Sequence, residues 1–216
     1  MTESLKYLAY LFMIVDHATY FYFPQFIWGR LVGRWSAPIF FYLLAVGYRR
    51  SKSRHRYFWR LVCWGIVVEL ILLLLGLKFP YLNILFTLAW CLQSLVLVHK
   101  CPPKFKLLLA IACCIFASLG HLDYGWYAVI TTIMFSVYVP NSKWWWAVWV
   151  LIHSLAALLI SPLQFFALPS PLLISAFEGQ KSDLPRLRWG WYVLYCLQWI
   201  GLSLPLLLQT WAAPIN

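Results

Sequence analysis

Charged residues are scarce in this 216-residue chain: they make up 11% of it, and only six are acidic. A water-facing domain carries about 25% charged residues, because charged side chains cover its solvated surface. With 63% hydrophobic residues and a mean hydropathy of +0.77, this chain cannot cover such a surface. The composition argues against an ordinary soluble domain and predicts an integral membrane protein.

Other signatures are missing as well. The six cysteines form no CxxC pair and have no histidine at metal-site spacing, so we expect neither a disulfide framework nor a metal centre. There is no repeat, linker or nucleic-acid-binding motif, and we expect one integral membrane domain over residues 1–216 that binds no nucleic acid. The first apolar segment has no small-residue cleavage site, so we expect it to stay in the mature protein.

Long apolar segments are abundant. A membrane-spanning helix needs about 20 mostly apolar residues, and windows of that kind predict an all-α polytopic membrane bundle of about nine helices, within a range of about eight to ten. The predicted spans are residues 5–25, 29–48, 60–77, 81–98, 106–120, 124–139, 144–161, 165–178 and 190–211. Pro169 and Pro171 interrupt the eighth span, which predicts a re-entrant or strongly kinked segment.

The basic residues predict the orientation, because Lys and Arg accumulate on the cytoplasmic side of membrane proteins. With a cytoplasmic N-terminus, fourteen of the seventeen basic residues lie inside and only Arg30, Arg34 and Lys78 lie outside. We therefore predict a cytoplasmic N-terminus and an outside C-terminus. The excess positive charge also predicts contact with anionic membrane lipids.

Asp16 and His17 lie near the middle of the first predicted span. An ionisable group at the bilayer centre costs about 2.5 to 3.5 kcal/mol and usually faces a partner or a watery cavity. Neighbouring helix residues point about 100° apart, so we expect the partner of His17 to come from another helix. The pair predicts proton-handling chemistry; the alternative is a polar packing contact between helices. Lys6 lies at the cytoplasmic end of the same predicted helix, about 16 Å from His17 at a rise of about 1.5 Å per residue.

The second span begins with Arg30 and Arg34, which share a helix face, and with Gly29 and Gly33, which form an adjacent groove for a neighbouring helix. Two guanidiniums one turn apart can clamp an anion or neutralise Asp16. The alternative is that both arginines extend to the outer interface. We expect Arg34, the deeper of the two, to act in the interior.

A dense basic segment follows the second span. It suits the phosphates of a nucleotide-like ligand, although topology and anionic lipid explain basic residues at this place equally well. Arg60 begins the third span and is expected to turn into the bundle. The candidate phosphate-binding residues of the segment are Arg49, Arg50, Lys52, Arg54, Arg56 and Arg60.

Later polar residues within the spans need partners too. Glu69 must be neutral, paired or hydrated. Asn83 and Thr87 are one turn apart, so we expect hydrogen bonds between helices first and ligand contact second. His153 in the seventh span is a candidate second active histidine. Asp123 lies in an outside turn, where a turn role is expected and contact with an acceptor is the alternative.

Four blocks, LKYLAYLFMIVDH, GRWSAPIFFYLLAVGY, RYFWRL and LNILFTL, occur in order over residues 4–98. In this order and spacing they resemble the TraX family, the F-pilin acetylase type, which is similar to the wider group of transmembrane acyltransferases. The resemblance implies a bacterial inner-membrane enzyme that takes acetyl groups from cytosolic acetyl-CoA and passes them to an acceptor amine or hydroxyl. The implied acceptors are a pilin N-terminus, a glycan or a lipid.

The resemblance also implies roles for individual residues. Lys6, ten intervening residues and His17 match the catalytic signature of the wider group, with Asp16 completing an Asp-His pair. Arg34 matches the Gly-Arg block. Two positions depart from the family pattern: Val46 stands where an acidic residue is expected, and residues 195–198 read Tyr-Cys-Leu-Gln instead of Tyr-Pro-Leu-His.

The expected mechanism is acetyl transfer without a metal. Lys6 and the basic segment hold the phosphates of acetyl-CoA, His17 removes a proton from the acceptor, and Arg34 stabilises the oxyanion. One alternative is a catalytically inactive subunit of a larger membrane complex. A second is a proton-coupled transporter, which is disfavoured because the chain lacks two related halves with discontinuous helices.

Overall fold

The computed structural model describes residues 2–77, 79–178, 180, 184–187 and 189–212. This part of the chain is all-helical and contains no β-strand, which confirms the predicted class. In chain order the α-helices are α1 (Thr2–Tyr22), α2 (Ile27–Gly33), α3 (Ser36–Arg50), α4 (Arg54–Leu74), α5 (Ile84–Lys100), α6 (Lys106–Leu119), α7 (Gly125–Ser136), α8 (Lys143–Leu159), α9 (Ser170–Phe177) and α10 (Gly190–Ala212). Short 3-10 helices cover Pro103–Phe105 and Pro162–Ala167.

Each predicted span coincides with a helical segment, and two of the segments are interrupted. The second span bends between α2 and α3, where the backbone N–H of Arg34 still bonds to the carbonyls of Arg30 and Leu31. The eighth span runs as a 3-10 helix to Ala167, turns at Pro169 and continues as α9. The predicted break at the prolines is therefore present.

Side-chain caps explain where three helices begin. The first backbone N–H groups of a helix have no partner within it, and a Ser or Asn just before the helix can accept from them. Ser53 accepts from Arg56 N at 3.3 Å at the start of α4, and Asn83 accepts from Leu85 N at 3.0 Å at the start of α5. Ser142 does the same for α8.

Helices α3, α5 and α7 form the centre of the bundle: α3 packs against α1, α5, α7 and α9, and α5 packs against α4, α6 and α7. Aromatic side chains fill the space between α3, α7 and α8, with Phe41, Tyr127, Phe135 and Trp149 completely buried. The Trp149 ring nitrogen donates to the Leu168 carbonyl at 3.0 Å, so its polar edge is satisfied.

Helices α1 and α10 lie side by side and run in the same direction. Successive hydrogen bonds join them from one end to the other: Tyr10 donates to the Leu194 carbonyl at 2.7 Å, and Tyr22 donates to the Leu202 carbonyl. Because the contact numbers rise together, the helices are parallel. This is the arrangement expected for the first and last of an odd number of spans.

Two helical segments of the described chain are long and apolar enough by themselves to cross a membrane, Ile27–Arg50 and Arg54–Leu74. Four further apolar segments are shorter: α5, α7, α8 and Pro162–Phe177. The predicted count of nine spans is therefore not confirmed by length and hydropathy. Lys78, Lys181 and Arg188, which contributed to the predicted orientation, lie outside the described residues.

Large apolar side chains cover much of the outer surface. Only 22% of the most apolar stretch of α4 is buried inside the bundle. Leu74 on α4, Leu107 on α6 and Leu158 on α8 are among the most exposed side chains. Soluble monomers seldom expose contiguous apolar surface of more than a few hundred Å². The surface of this bundle is suited to an apolar environment.

Candidate active site

A buried ion cluster joins α1 to the bend between α2 and α3. Asp16 Oδ1 lies 3.0 Å from Arg30 Nη1, and Asp16 Oδ2 accepts a charge-assisted hydrogen bond from Arg34 Nη2. Arg30 also donates to the backbone carbonyl of Asp16 at 3.2 Å. The counter-charge role predicted for the two arginines is present, and Asp16 is occupied by them rather than by His17.

Two glycines allow α2 to approach α1 closely enough for these pairs to form. A Cβ atom built on Gly33 would lie 2.7 Å from Oδ1 of Asp16, and one built on Gly29 would lie 3.1 Å from Cβ of Thr19. Both distances are shorter than a normal carbon contact, so only glycine fits. Helix α1 therefore packs in the groove predicted from Gly29 and Gly33.

We expect Gly33→Ala to lower the free energy of unfolding by about 1 to 3 kcal/mol, because an added methyl group overpacks the contact with Asp16. The matched control is Gly201→Ala on α10, where an added Cβ meets nothing within 4 Å. Alanine is more stable than glycine in a helix interior by about 0.5 to 1 kcal/mol. The free energy of unfolding of this control should therefore equal or exceed that of the parent protein. The midpoint of thermal unfolding in detergent measures both. Equal midpoints would contradict the close contact.

His17 faces away from Asp16, toward α10. The amide nitrogen Nε2 of Gln198 lies 2.6 Å from Nδ1 of His17, and the ring of Trp199 packs against the imidazole with a centroid distance of 4.7 Å. The partner of His17 comes from another helix, as expected. Within the described chain no hydrogen-bond partner is found for Nε2 of His17, the second ring nitrogen.

A large cavity of about 670 Å³ lies beside this histidine. His17, Asp16, Arg30 and Arg34 all line it, together with loops at the end of the bundle where α1, α4, α6 and α8 finish. The imidazole is thus in contact with open space rather than sealed in an apolar contact. In the predicted orientation this cavity lies at the outer end.

Asp123 adds a second carboxyl group to the wall of the large cavity. The turn that presents it contains two non-glycine residues with positive φ, His121 at 51° and Tyr124 at 63°. Such conformations are uncommon and concentrate at functional sites. Burial raises the pKa of the Asp123 carboxyl to about 6, while the Arg34 guanidinium opposes the shift. The group is therefore ionised at neutral pH and loses its charge as the pH falls through 6.

A small cavity of about 390 Å³ lies at the other end of the bundle, where α1, α4 and α10 begin. Lys6 and Arg60 line it with an aromatic group: the Arg60 guanidinium lies 5.0 Å from the Tyr57 ring, 5.7 Å from Trp189 and 5.9 Å from Tyr192. Nε of Arg60 is buried without a hydrogen-bond partner in the described chain. Arg60 turns into the bundle, as predicted.

The two cavities share part of their walls. Met13, Phe40, Ile84 and Tyr195 line both of them. These four side chains come from α1, α3, α5 and α10 and form what we call the waist. Lys6 and His17, which are separated by ten residues of α1, thus face the two cavities from opposite sides of the waist.

The other residues of the basic segment do not line the small cavity. Arg49 donates to the Ser136 carbonyl at 3.4 Å, and the Arg54 guanidinium lies 4.3 Å from the Tyr48 ring. Arg50, Lys52 and Arg56 are exposed. These five residues lie at the end of α3, in the loop of residues 51–53 and in the first turn of α4, one or more turns before Arg60. The structure therefore brings only Lys6 and Arg60 of the predicted phosphate-binding set together.

Glu69 and Asn83 join helices through hydrogen bonds. The Thr87 hydroxyl is buried without a hydrogen-bond partner among the described residues, so the bond between helices expected of it is not found. The Glu69 carboxylate accepts from the backbone N of Asn83 at 2.8 Å and from its side-chain amide at 2.9 Å, and the same amide donates to the Gly65 carbonyl. Glu69 is thus paired through hydrogen bonds that tie α4 to the start of α5. Asn83 reaches the wall of the large cavity, whereas Thr87 is fully buried and lines neither cavity.

His153 is not brought to the candidate site. It is fully buried between α7 and α8, where Nε2 lies 3.0 Å from the Tyr127 hydroxyl and Nδ1 lies 2.9 Å from the Trp149 carbonyl. Both ring nitrogens have partners and the ring lines neither cavity, so its position is that of a packing residue of the aromatic core. Its role as a second active histidine stays an untested prediction.

Comparison with known protein families identifies the family of this chain. The family model described as TraX protein matches residues 1–204. The chain belongs to the TraX family. The match confirms the resemblance seen in the four sequence blocks and extends it from residues 4–98 across α5 to α10, so that it includes Gln198 and both cavities.

One curated relative of this TraX chain is the probable fimbrial assembly protein FimC, serogroup H1, of Dichelobacter nodosus. The two are 28% identical over 207 residues, which cover 88% of this chain and 82% of the relative. No solved structure matches the chain.

Sequence reasoning did not select three residues that the structure places at the TraX site. Tyr195 and Gln198 stand out in the sequence only as ends of the stretch 195–198, which departs from the family pattern at Cys196 and Gln198, and Trp199 has no sequence signal. Hydropathy gives no signal for such positions, because α10 contacts α1 only in the tertiary fold. The departure at Gln198 was the one available hint.

Proposed function

We propose that this TraX chain is a polytopic membrane protein that transfers an acetyl group from cytosolic acetyl-CoA to an acceptor amine or hydroxyl. The observation that carries the proposal is the waist shared by the two cavities, with Lys6 and Arg60 on one side and His17 on the other. A donor and an acceptor that enter from opposite ends of the bundle can meet there.

The exposed apolar surface supports the membrane location. Helices α5 and α8 have 17 residues each, at the lower end of the roughly 17 to 25 that span a bilayer. With α1 entering from the cytoplasm, the small cavity opens inside and the large cavity opens outside. We place the protein in a bacterial-type inner membrane, where its basic residues face anionic lipid on the cytoplasmic side.

Acetyl-CoA is the donor that suits the small cavity. Its phosphates are multiply charged, and Arg and Lys bind phosphate through charge-assisted hydrogen bonds. Arg60 lies among aromatic rings, and its Nε–H has no hydrogen-bond partner in the part of the chain that the structure describes. Lys6 is paired with Glu3 at 2.7 Å. The pantetheine arm would extend from these groups toward the waist, which brings the thioester carbonyl to His17.

The chemistry at His17 is general base catalysis. The acceptor lone pair attacks the thioester carbonyl carbon while the imidazole removes the acceptor proton. The C–S bond of the tetrahedral intermediate then breaks, and the imidazolium returns the proton to the CoA thiolate. Nε of Arg34 is buried without a hydrogen-bond partner among the described residues, and we assign it to the oxyanion, while Nη2 holds Asp16.

The acceptor belongs to pilus assembly in this proposal. The D. nodosus relative is named as a probable fimbrial assembly protein. In the proposed orientation the large cavity faces the outside, where a pilus component would reach it. A pilin N-terminus, a glycan and a lipid are the proposed acceptors. Each supplies an amine or hydroxyl proton for His17.

We expect Arg60→Gln to weaken CoA binding about 10- to 100-fold, because a charge-assisted hydrogen bond contributes about 1.5 to 3 kcal/mol. The matched control is Arg50→Gln, which removes an exposed guanidinium that does not line the small cavity. Its CoA affinity should match that of the parent. Titration of the detergent-solubilised protein with radiolabelled CoA measures both.

The proposed donor site is contradicted if the parent protein does not bind CoA at micromolar concentration. That outcome would favour the alternative of an inactive subunit of a larger membrane complex. Val46 and Gln198, where the chain departs from the family pattern, are the observations that keep this alternative in view. Equal loss of affinity in both variants would instead indicate a diffuse effect of positive charge.

A further inference from the structure

Gln198 is held against His17 in a way that general packing does not require. Its side chain is buried, with 7% exposed, and its amide contacts Nδ1 of His17 across 181 positions of sequence. Oε1 of Gln198 has no hydrogen-bond partner in the described chain. As placed, the amide nitrogen faces Nδ1 of His17 and the amide oxygen faces no hydrogen-bonding group of the described chain.

The orientation of that amide decides the chemistry of the imidazole. A neutral imidazole has one nitrogen that donates and one that accepts. A 180° rotation of the amide exchanges its oxygen and nitrogen while the heavy-atom positions stay the same. If the amide N–H donates to Nδ1, the proton of the ring must lie on Nε2. If the amide oxygen accepts from Nδ1–H, Nε2 keeps a lone pair.

We propose that Gln198 is the positioning residue of the acetyl transfer, and that its amide oxygen accepts from Nδ1–H of His17 so that Nε2 is the base. This inference rests on the proposed function of His17. Nε2 has no partner among the described residues, and His17 lines the large cavity, so Nε2 is the ring nitrogen left to meet an acceptor that enters there.

The neighbouring groups leave this role to Gln198. The Asp16 carboxylate is engaged by Arg30 and Arg34 and is not available to the ring. The Trp199 ring packs against the imidazole at a tilt of 34° and restricts its rotation about χ2, but it offers the ring no acceptor. A neutral amide oxygen therefore orients the ring without adding a negative charge beside the ion cluster.

In the step that follows, Nδ1 keeps its proton and its bond to Gln198 throughout. The Nε2 lone pair takes the proton of the acceptor amine or hydroxyl as the acceptor attacks the thioester carbon. The same proton then moves from Nε2 to the sulfur of the departing CoA thiolate. The imidazole ends in its starting tautomer, ready for another acceptor.

Nitrogen NMR of the detergent-solubilised full chain, labelled at histidine, tests the tautomer directly, and His17→Asn assigns the signal. We expect an unprotonated Nε2 and a protonated Nδ1 in the parent at neutral pH. Gln198→Leu should lose this preference and lower kcat about 10- to 100-fold with unchanged CoA affinity, because a misplaced catalytic group costs up to about 100-fold.

Gln198→Glu provides the rescue variant. A carboxylate keeps an acceptor oxygen for Nδ1–H but has no N–H to donate when ionised, so the Nδ1–H tautomer and most of kcat should return. A parent ring that is protonated on Nε2, or a Glu variant that behaves like the Leu variant, would overturn the inference. If the NMR result holds but no variant transfers acetyl groups, the proposed function fails and the tautomer assignment stands.

Discussion

His17→Ala should lower the rate of acetyl transfer by at least about 100-fold while CoA binding is unchanged. A positioned general base contributes about 10² to 10⁴ to a rate. The imidazole lines the large cavity, and the CoA phosphates bind at the small cavity in our proposal. The substitution therefore removes the chemistry and leaves donor binding intact. Incorporation of radiolabelled acetyl from acetyl-CoA into membranes measures the rate, and mass spectrometry of pilins and glycans identifies the acceptor.

The matched control is His55→Ala, because His55 is exposed at the start of α4 and its ring accepts a hydrogen bond from the neighbouring Trp59 at 2.9 Å. Exposed substitutions change free energies by about 0.5 kcal/mol or less, so its rate should stay within about twofold of the parent. Equal rates for the His17 and His55 variants would end the enzyme proposal. Unaltered CoA affinity in the His17 variant excludes misfolding as the cause of a lower rate.

Asp16→Asn should destabilise the fold more than any other conservative change at the site, by about 3 to 5 kcal/mol. The amide removes the negative charge that two guanidiniums share, which leaves Arg30 and Arg34 close together in a buried place. Uncompensated buried charge is expensive because it has lost its hydration. Reversible unfolding in mixed micelles measures the loss.

Glu3→Gln is the control on the same helix. It breaks the Lys6–Glu3 pair at 2.7 Å, whose lysine side chain is 33% exposed. Pairs near solvent contribute about 0 to 1 kcal/mol, so this variant should remain close to the parent. The double variant Asp16→Asn with Arg34→Met should recover part of the stability, because it removes one of the two unpaired cations. No recovery would contradict a charge effect.

The helices were the most predictable part of this molecule. Apolar windows located every helical segment to within about one or two turns, and Pro169 marked the break before α9, because helix formation depends on neighbours one turn apart. Fewer helices have both the length and the hydropathy that crossing a membrane requires. Asp16, His17 and several tyrosines lower the hydropathy of α1, and α5 and α8 stop at 17 residues.

Part of the site was predictable because it is local as well. The Asp16–His17 pair was recognised by its depth in an apolar segment, and Gly29 and Gly33 indicated a close helix contact one turn from Arg30 and Arg34. The basic segment illustrates the limit. Its six members look alike in sequence, yet Arg60 alone reaches the small cavity, since that depends on which face of α4 meets α10.

The sequence by itself determined the all-helical class, the position of the helices, the family and the depth of the imidazole in α1, since each depends on short-range pattern. Only the tertiary structure decided that Gln198 contacts His17, that His153 is a core residue, and that two cavities meet at a common waist. Those contacts join residues up to 181 positions apart. They are set by how helices pack against one another, which periodicity along a single helix does not encode.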